Sequence, residues 1–116
     1  MGDFTNFMHD RLNLRFIAKT GKEQRLGLMG QEPLSPSEGA LFVYPEPTDL
    51  RFWNRNVSFP IDVGIFDAEK RLVSVGQLDA HQEEGIGHFG QFALEAPRGF
   101  FSGIKTGTHL DELVAQ

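Results

Sequence analysis

Short apolar runs, most of them closed by proline, glycine or a polar turn, recur along this chain, and no stretch sustains a long 3.6-residue repeat. Leu12, Leu14, Phe16 and Ala18 alternate with Asn13, Arg15 and Ile17, the period-two pattern of a half-buried strand. Thr20 and Glu23 have capping-box spacing, which predicts a short helix that ends by Gly30. Ala40 to Tyr44 is an unbroken apolar run, as in a strand covered on both faces, and Pro45 and Pro47 are read as its end. Arg51 to Val57 alternates again. If extended, it sets Phe52, Asn54 and Asn56 on one side and Arg51, Trp53, Arg55 and Val57 on the other.

Ile61 to Phe66 and Leu72 to Val75 flank Asp67-Ala68-Glu69-Lys70, a connection with the length and polarity of a hairpin turn. Gln77 to Gln91 is polar and glycine-rich and reads as a long surface loop. Phe92 to Ala96 returns to a strand, Phe100 to Ile104 forms a short turn or helix, and Thr108 to Val114 closes the chain. Six or seven short strands without alternating long helices predict an all-β fold. The expected form is a compact β-sandwich or small barrel-like domain with one or two short helices, rather than a βαβ fold. Residues 1–11 are expected to form an N-terminal arm and residues 12–116 a single β-rich domain.

With 116 residues, the chain has the length of one core, and 11 Phe against one Tyr and one Trp require large rings to be packed away from water. The net charge of -5, without any cluster of Lys and Arg, disfavours gripping a phosphate backbone, so no nucleic-acid partner is expected. The absence of cysteine rules out disulfides, thiolate nucleophiles and cysteine-ligated metals. Met1 to Asp10 is interrupted by Asp3, Asn6, His9 and Asp10 and so lacks a signal peptide's apolar run. No run is long enough to span a bilayer, and a cytoplasmic location without membrane contact is the expectation.

Several patterns suggest chemistry. Gly85-Ile86-Gly87-His88-Phe89-Gly90 has dinucleotide-site spacing, but Gln82-Glu83-Glu84 precedes it where that site needs an apolar strand, so a flexible loop is the sounder reading. His81, Glu83, Glu84 and His88 are metal-ligating types without ligand spacing, and no metal or cofactor is expected. No serine lies in a nucleophile elbow. Asp62 and Glu95 both lie in apolar strand surroundings, where one carboxyl with a raised pKa would serve as an acid while the other stays ionised; the plainer reading pairs each with Arg55 or Lys105 or with a turn. Trp53 and Arg55 on one strand face would set an indole beside a guanidinium, with the amides of Asn54 and Asn56 nearby, unless the ring belongs to the core.

In order along the chain, "GLMG", "GALFVY", "FWNRNVSFPIDVGIFD" and "LEAPRGFFSGIKTG" together resemble the bacterial and archaeal family known as domain of unknown function 192, from about Leu12 to Val114. The matching positions are Gly27 to Met29, Gly39, Leu41, Phe42, Phe52, Trp53, Asn56, Pro60, Asp62, Leu94, Glu95, Gly103 to Lys105 and Gly107. The chain departs from that pattern at Asn54-Arg55, where the family reads Met-Lys, at Val57 and at Thr108. The resemblance implies a compact β-sandwich or barrel-like domain, often found alone and often behind a signal peptide, without an established activity or cofactor.

These readings combine into an expected non-enzymatic binding or interaction module with no catalytic residue. Its face would comprise Trp53, Asn54, Arg55, Asn56 and Asp62, with Glu95 and Lys105, and would take a small polar or anionic ligand or a protein partner. The alternatives are a structural accessory of a larger assembly, engaging a protein partner through Phe4 and Phe7 of the arm, and a hydrolase using Asp62 and Glu95.

Overall fold

In a computed structural model, which describes residues 11–115, one mixed sheet organises the chain. The N-terminal arm expected at 1–11 lies almost wholly outside the described residues. In chain order the elements are β1 (Asn13–Ala18), α1 (Gly21–Leu26), β2 (Glu38–Phe52), β3 (Ile61–Phe66), β4 (Leu72–Leu78) and β5 (Ile86–Pro97). A 3-10 turn at Leu110–Glu112 follows. The five strands lie in the order β1-β2-β5-β3-β4. The all-β class holds, in the form of a single sheet whose two faces each carry a core. The first pair, β1 and β2, is parallel, which requires the long crossover that carries α1. The other pairs are antiparallel.

Strand alternation decides which residue enters which core. Ile61, Val63 and Ile65 of β3 face one side with Ala40, Phe42, Leu50, Phe52 and Ala93. Phe66 faces the other, with Leu41, Leu72, Leu94, Ala96 and Phe101. Covering both faces explains why β3 is buried along its whole length. Phe101 approaches so closely that a Cβ on Gly64 would lie 2.4 Å from the ring. The chain end is tied down as Leu12 N–H donates to Leu113 O and Ala115 N–H to Leu12 O, both at 2.8 Å.

Local chemistry accounts for the connections. Thr20 and Glu23 form the reciprocal capping box of α1. At the β3–β4 turn, Asp67 Oδ1 accepts from Glu69 N–H at 3.0 Å and Arg71 N–H at 2.9 Å, while Lys70 takes a left-handed φ of 65°.

Two expectations about strand ends are corrected. Pro45 and Pro47 do not stop β2, which runs on to Phe52. They sit where the β2–β5 register shifts between Val43 and Thr48, so their missing N–H groups remove no ladder bond. The stretch Gln77 to Gln91 is not one long loop: β4 continues to Leu78 and β5 begins at Ile86, so most of the glycine-rich segment is strand, paired with Thr48–Phe52 of β2. Polar residues are tolerated there because Gly87, His88 and Phe89 are exposed. Among the described residues no helix is long and apolar enough to cross a membrane.

Candidate functional site

Beyond Phe52 the chain leaves the sheet, so the extended reading of Arg51 to Val57 holds only for Arg51 and Phe52. The segment turns instead: Val57 N–H donates to Asn54 O at 2.9 Å, and Asn56 takes a left-handed φ of 59°. Asn54 is 1% exposed and holds this turn in place. Its Nδ2 donates to Phe59 O at 2.9 Å and to Asp79 O at 3.0 Å, and its backbone N–H donates to Gln82 O at 2.8 Å. Its Oδ1 is buried with no hydrogen-bond partner among the described residues.

The turn presents Trp53 and Arg55 outward together. Trp53 is 47% exposed, and the Arg55 guanidinium carbon stands 4.9 Å from the centre of its ring. That distance is within cation–π range. Glu83 lies 3.8 Å from Arg55 Nε in an open, solvated pair.

Both side chains line a cleft of about 300 Å³ between α1 with the loop that follows it and the far half of β2. One wall comes from Gly21 and Gln24 to Met29, the other from Thr48 to Trp53, with Phe42, Tyr44 and Val57 between them. Gln24 fixes the helix to the strand through a 2.8 Å bond from its Nε2 to Val43 O. Arg25, Arg51 and Arg55 line the cleft against a single carboxylate, that of Asp49. A largely apolar cleft with a few charged groups is the usual form of a ligand site. The α1 wall has no signal in the sequence beyond the cap that starts it, because nothing in a linear pattern says which strand a crossover helix will cover.

The remaining expected residues lie elsewhere. Asn56 is exposed beside the cleft, its Nδ2 3.9 Å from Met29 Sδ. Asp62, 2% exposed, accepts from Gly99 N–H at 3.0 Å and from Gln77 Nε2 at 3.3 Å, and faces Arg98 Nε at 3.4 Å. It therefore fixes the 97–100 turn, with Arg98 rather than Arg55 as its cation. Lys105 is exposed in the next turn. Glu95, 5% exposed, sits opposite Ala40 and Val63 in the sheet, and its Oε1 has no hydrogen-bond partner among the described residues. Burial pushes its carboxyl up to about 8. Tyr44 is raised to about 12, by burial first and then by the Glu95 charge.

Asp62 pairs with Ala96 and Glu95 with Val63, one residue apart in register. Ala96 belongs to one core and Val63 to the other, so the two carboxyls project from opposite faces of the sheet. The acid and base of the hydrolase reading share no cavity. Among the described residues no group of three or more His, Asp or Glu is placed to hold a metal ion.

One mixed sheet with a core on each face and an open cleft at the far half of β2 defines a small all-β domain. The chain belongs to the domain of unknown function 192 family, described as uncharacterized ACR, whose family model matches residues 7–111. A crystal structure of a protein of unknown function from Novosphingobium aromaticivorans is similar over 81% of this chain and 71% of its own, with a TM-score of 0.75 and 28% identity. That of a putative transcription regulator from Sinorhizobium meliloti is similar over 78% of this chain and 74% of its own, with a TM-score of 0.74 and 22% identity, a likeness of fold alone. No curated protein matches the sequence.

Proposed function

We propose that this domain is a non-enzymatic binding module whose site is the cleft between α1 and β2, taking a ligand with an apolar part and an anionic group. The observation that carries this reading is the half-exposed Trp53 under the Arg55 guanidinium, at the rim of a cleft lined by three arginines and one carboxylate. A half-exposed indole stacked by a guanidinium offers one surface for both parts of such a ligand, the ring face for the apolar part and the cation for the anionic group. The positive lining also runs against a chain whose net charge is -5, which favours a negatively charged ligand.

Trp53 is the sole tryptophan, so its fluorescence reports on this cleft directly. Titration with phenylacetate, benzoate, phenyl phosphate and acidic peptides should change the emission for at least one of these classes, and an Arg25→Ala/Arg55→Ala variant should lose the response. If the emission and the melting temperature stay constant across the whole panel, the reading fails.

A further inference from the structure

The cleft follows a sheet edge that has no neighbouring strand among the described residues. β1 pairs with β2 only over Glu38–Phe42, so beyond that point no described strand lies along the same edge of β2. On its other edge, Thr48–Phe52 is paired with β5. The carbonyls of Leu50 and Phe52 turn towards β5: a Cβ on Gly87 would lie 2.4 Å from Leu50 O, and one on Gly85 3.2 Å from Phe52 O. Backbone groups of successive residues in an antiparallel strand point to opposite edges. Those of Asp49 and Arg51 therefore point away from β5, along the wall of the cleft. No described turn or loop backbone group bonds to them.

Unpaired amide and carbonyl groups beside an apolar cleft form a template for one more strand. We infer that the free edge of β2 at Thr48–Phe52 takes an acidic, extended peptide as an added strand, continuing the position that β1 occupies lower down. This inference rests on the proposed binding role of the same cleft and names its partner class. Backbone bonds to Asp49 and Arg51 would supply the register, and the side chains would supply the selectivity. In an added strand, alternate side chains face opposite ways, so one set would meet the apolar floor of Leu28, Phe42 and Leu50. Acidic residues match Arg25 and Arg55 of the lining, whereas Arg51 lays its side chain across Gly87 of β5.

The probe is a displayed library of random decapeptides, selected on the full chain and counter-selected on an Arg25→Glu/Arg55→Glu variant whose fold is checked by circular dichroism. Selection should enrich peptides with acidic and aliphatic residues in alternation. The best of them, synthesised, should slow hydrogen exchange at the Asp49 and Arg51 amides by about tenfold or more. Methylating its backbone nitrogens at alternate positions should abolish binding in one phase of the alternation and spare it in the other.

Failure to enrich any peptide over the variant would overturn the inference. So would peptides that shift Trp53 emission but leave both amides unprotected and tolerate methylation in either phase; the cleft would then be a ligand site that does not add a strand, and the broader reading would stand. Protection of both amides without peptide, together with a concentration-dependent doubling of mass, would assign the edge to a second copy of this chain and equally overturn it. A response of Trp53 to small aromatic anions tests the binding role by itself, so the two failures are separable.

Discussion

Arg55 lies over the ring of Trp53 with its guanidinium carbon 4.9 Å from the ring centre, although a turn rather than a strand joins them. The contact arises because Asn54, between them, is drawn inward to bond Phe59 and Asp79, which leaves its two neighbours pointing out. Since Trp53 is 47% exposed, Trp53→Ala should cost well under the ~3 to 5 kcal/mol of removing a core aromatic. Asn54→Ala deletes two bonds from a side chain that is 1% exposed and should cost more, about 1 to 3 kcal/mol. Urea denaturation of both variants checks the order; a larger loss for Trp53→Ala would place the ring in the core.

What the sequence disclosed and what it concealed follow from the range of the forces involved. The β3–β4 hairpin and the α1 cap were legible because Asp67 and Thr20 satisfy backbone groups only a few residues away. The full length of β2 was not, because a proline ends a strand only where its N–H is needed, and the register shift that removes the need belongs to the pairing with β5. The polar stretch before Gln91 looked like a loop because exposed strand residues carry no apolar period. Trp53 and Arg55, two positions apart in sequence, could be proposed together. Arg25 and Gln24 could not, since only the crossover brings α1 to β2. The separation of Asp62 from Glu95 depends on a register that no alternation within one strand reveals.

Glu95 predicts a pH dependence of stability. Its carboxyl titrates near 8 when folded, against 4.5 ordinarily, because burial disfavours the charge. The folded state thus holds this proton more tightly than the unfolded one, so the contribution is complete below about pH 4.5 and is lost as pH rises through about 8. Glu95→Gln, which cannot ionise, should melt at a higher temperature than the wild type at pH 9 and lose most of its advantage at pH 4. Melting curves recorded between those limits test this, and parallel profiles for the two proteins would rule out Glu95 as the source.

Asp62 should matter for stability and not for the cleft. Its oxygens accept from Gly99 N–H and Gln77 and face Arg98, which itself bonds Leu78 O at 2.9 Å and Asp79 at 3.0 Å. Asp62→Ala would leave a partly buried N–H without its acceptor and should cost about 1 to 3 kcal/mol, while the Trp53 emission spectrum stays unchanged. An altered spectrum in a folded Asp62→Ala protein would tie this network to the cleft after all.

Gly64 tests the packing over β3. A Cβ there would lie 2.4 Å from Phe101 Cζ and 2.6 Å from its Cε1, distances that real contacts do not reach, so either the ring or the strand must move. The ring is 4% exposed, and the strand is held on both edges by β4 and β5, so neither yields freely. Gly64→Ala should therefore destabilise the domain by about 1 to 3 kcal/mol through overpacking. A smaller side chain opposite should relieve the strain: Phe101→Leu destabilises the native chain, yet in the Gly64→Ala background its cost should shrink or reverse. A double-mutant cycle by urea denaturation measures that coupling, and strict additivity of the two changes would show that the ring does not pack against this glycine.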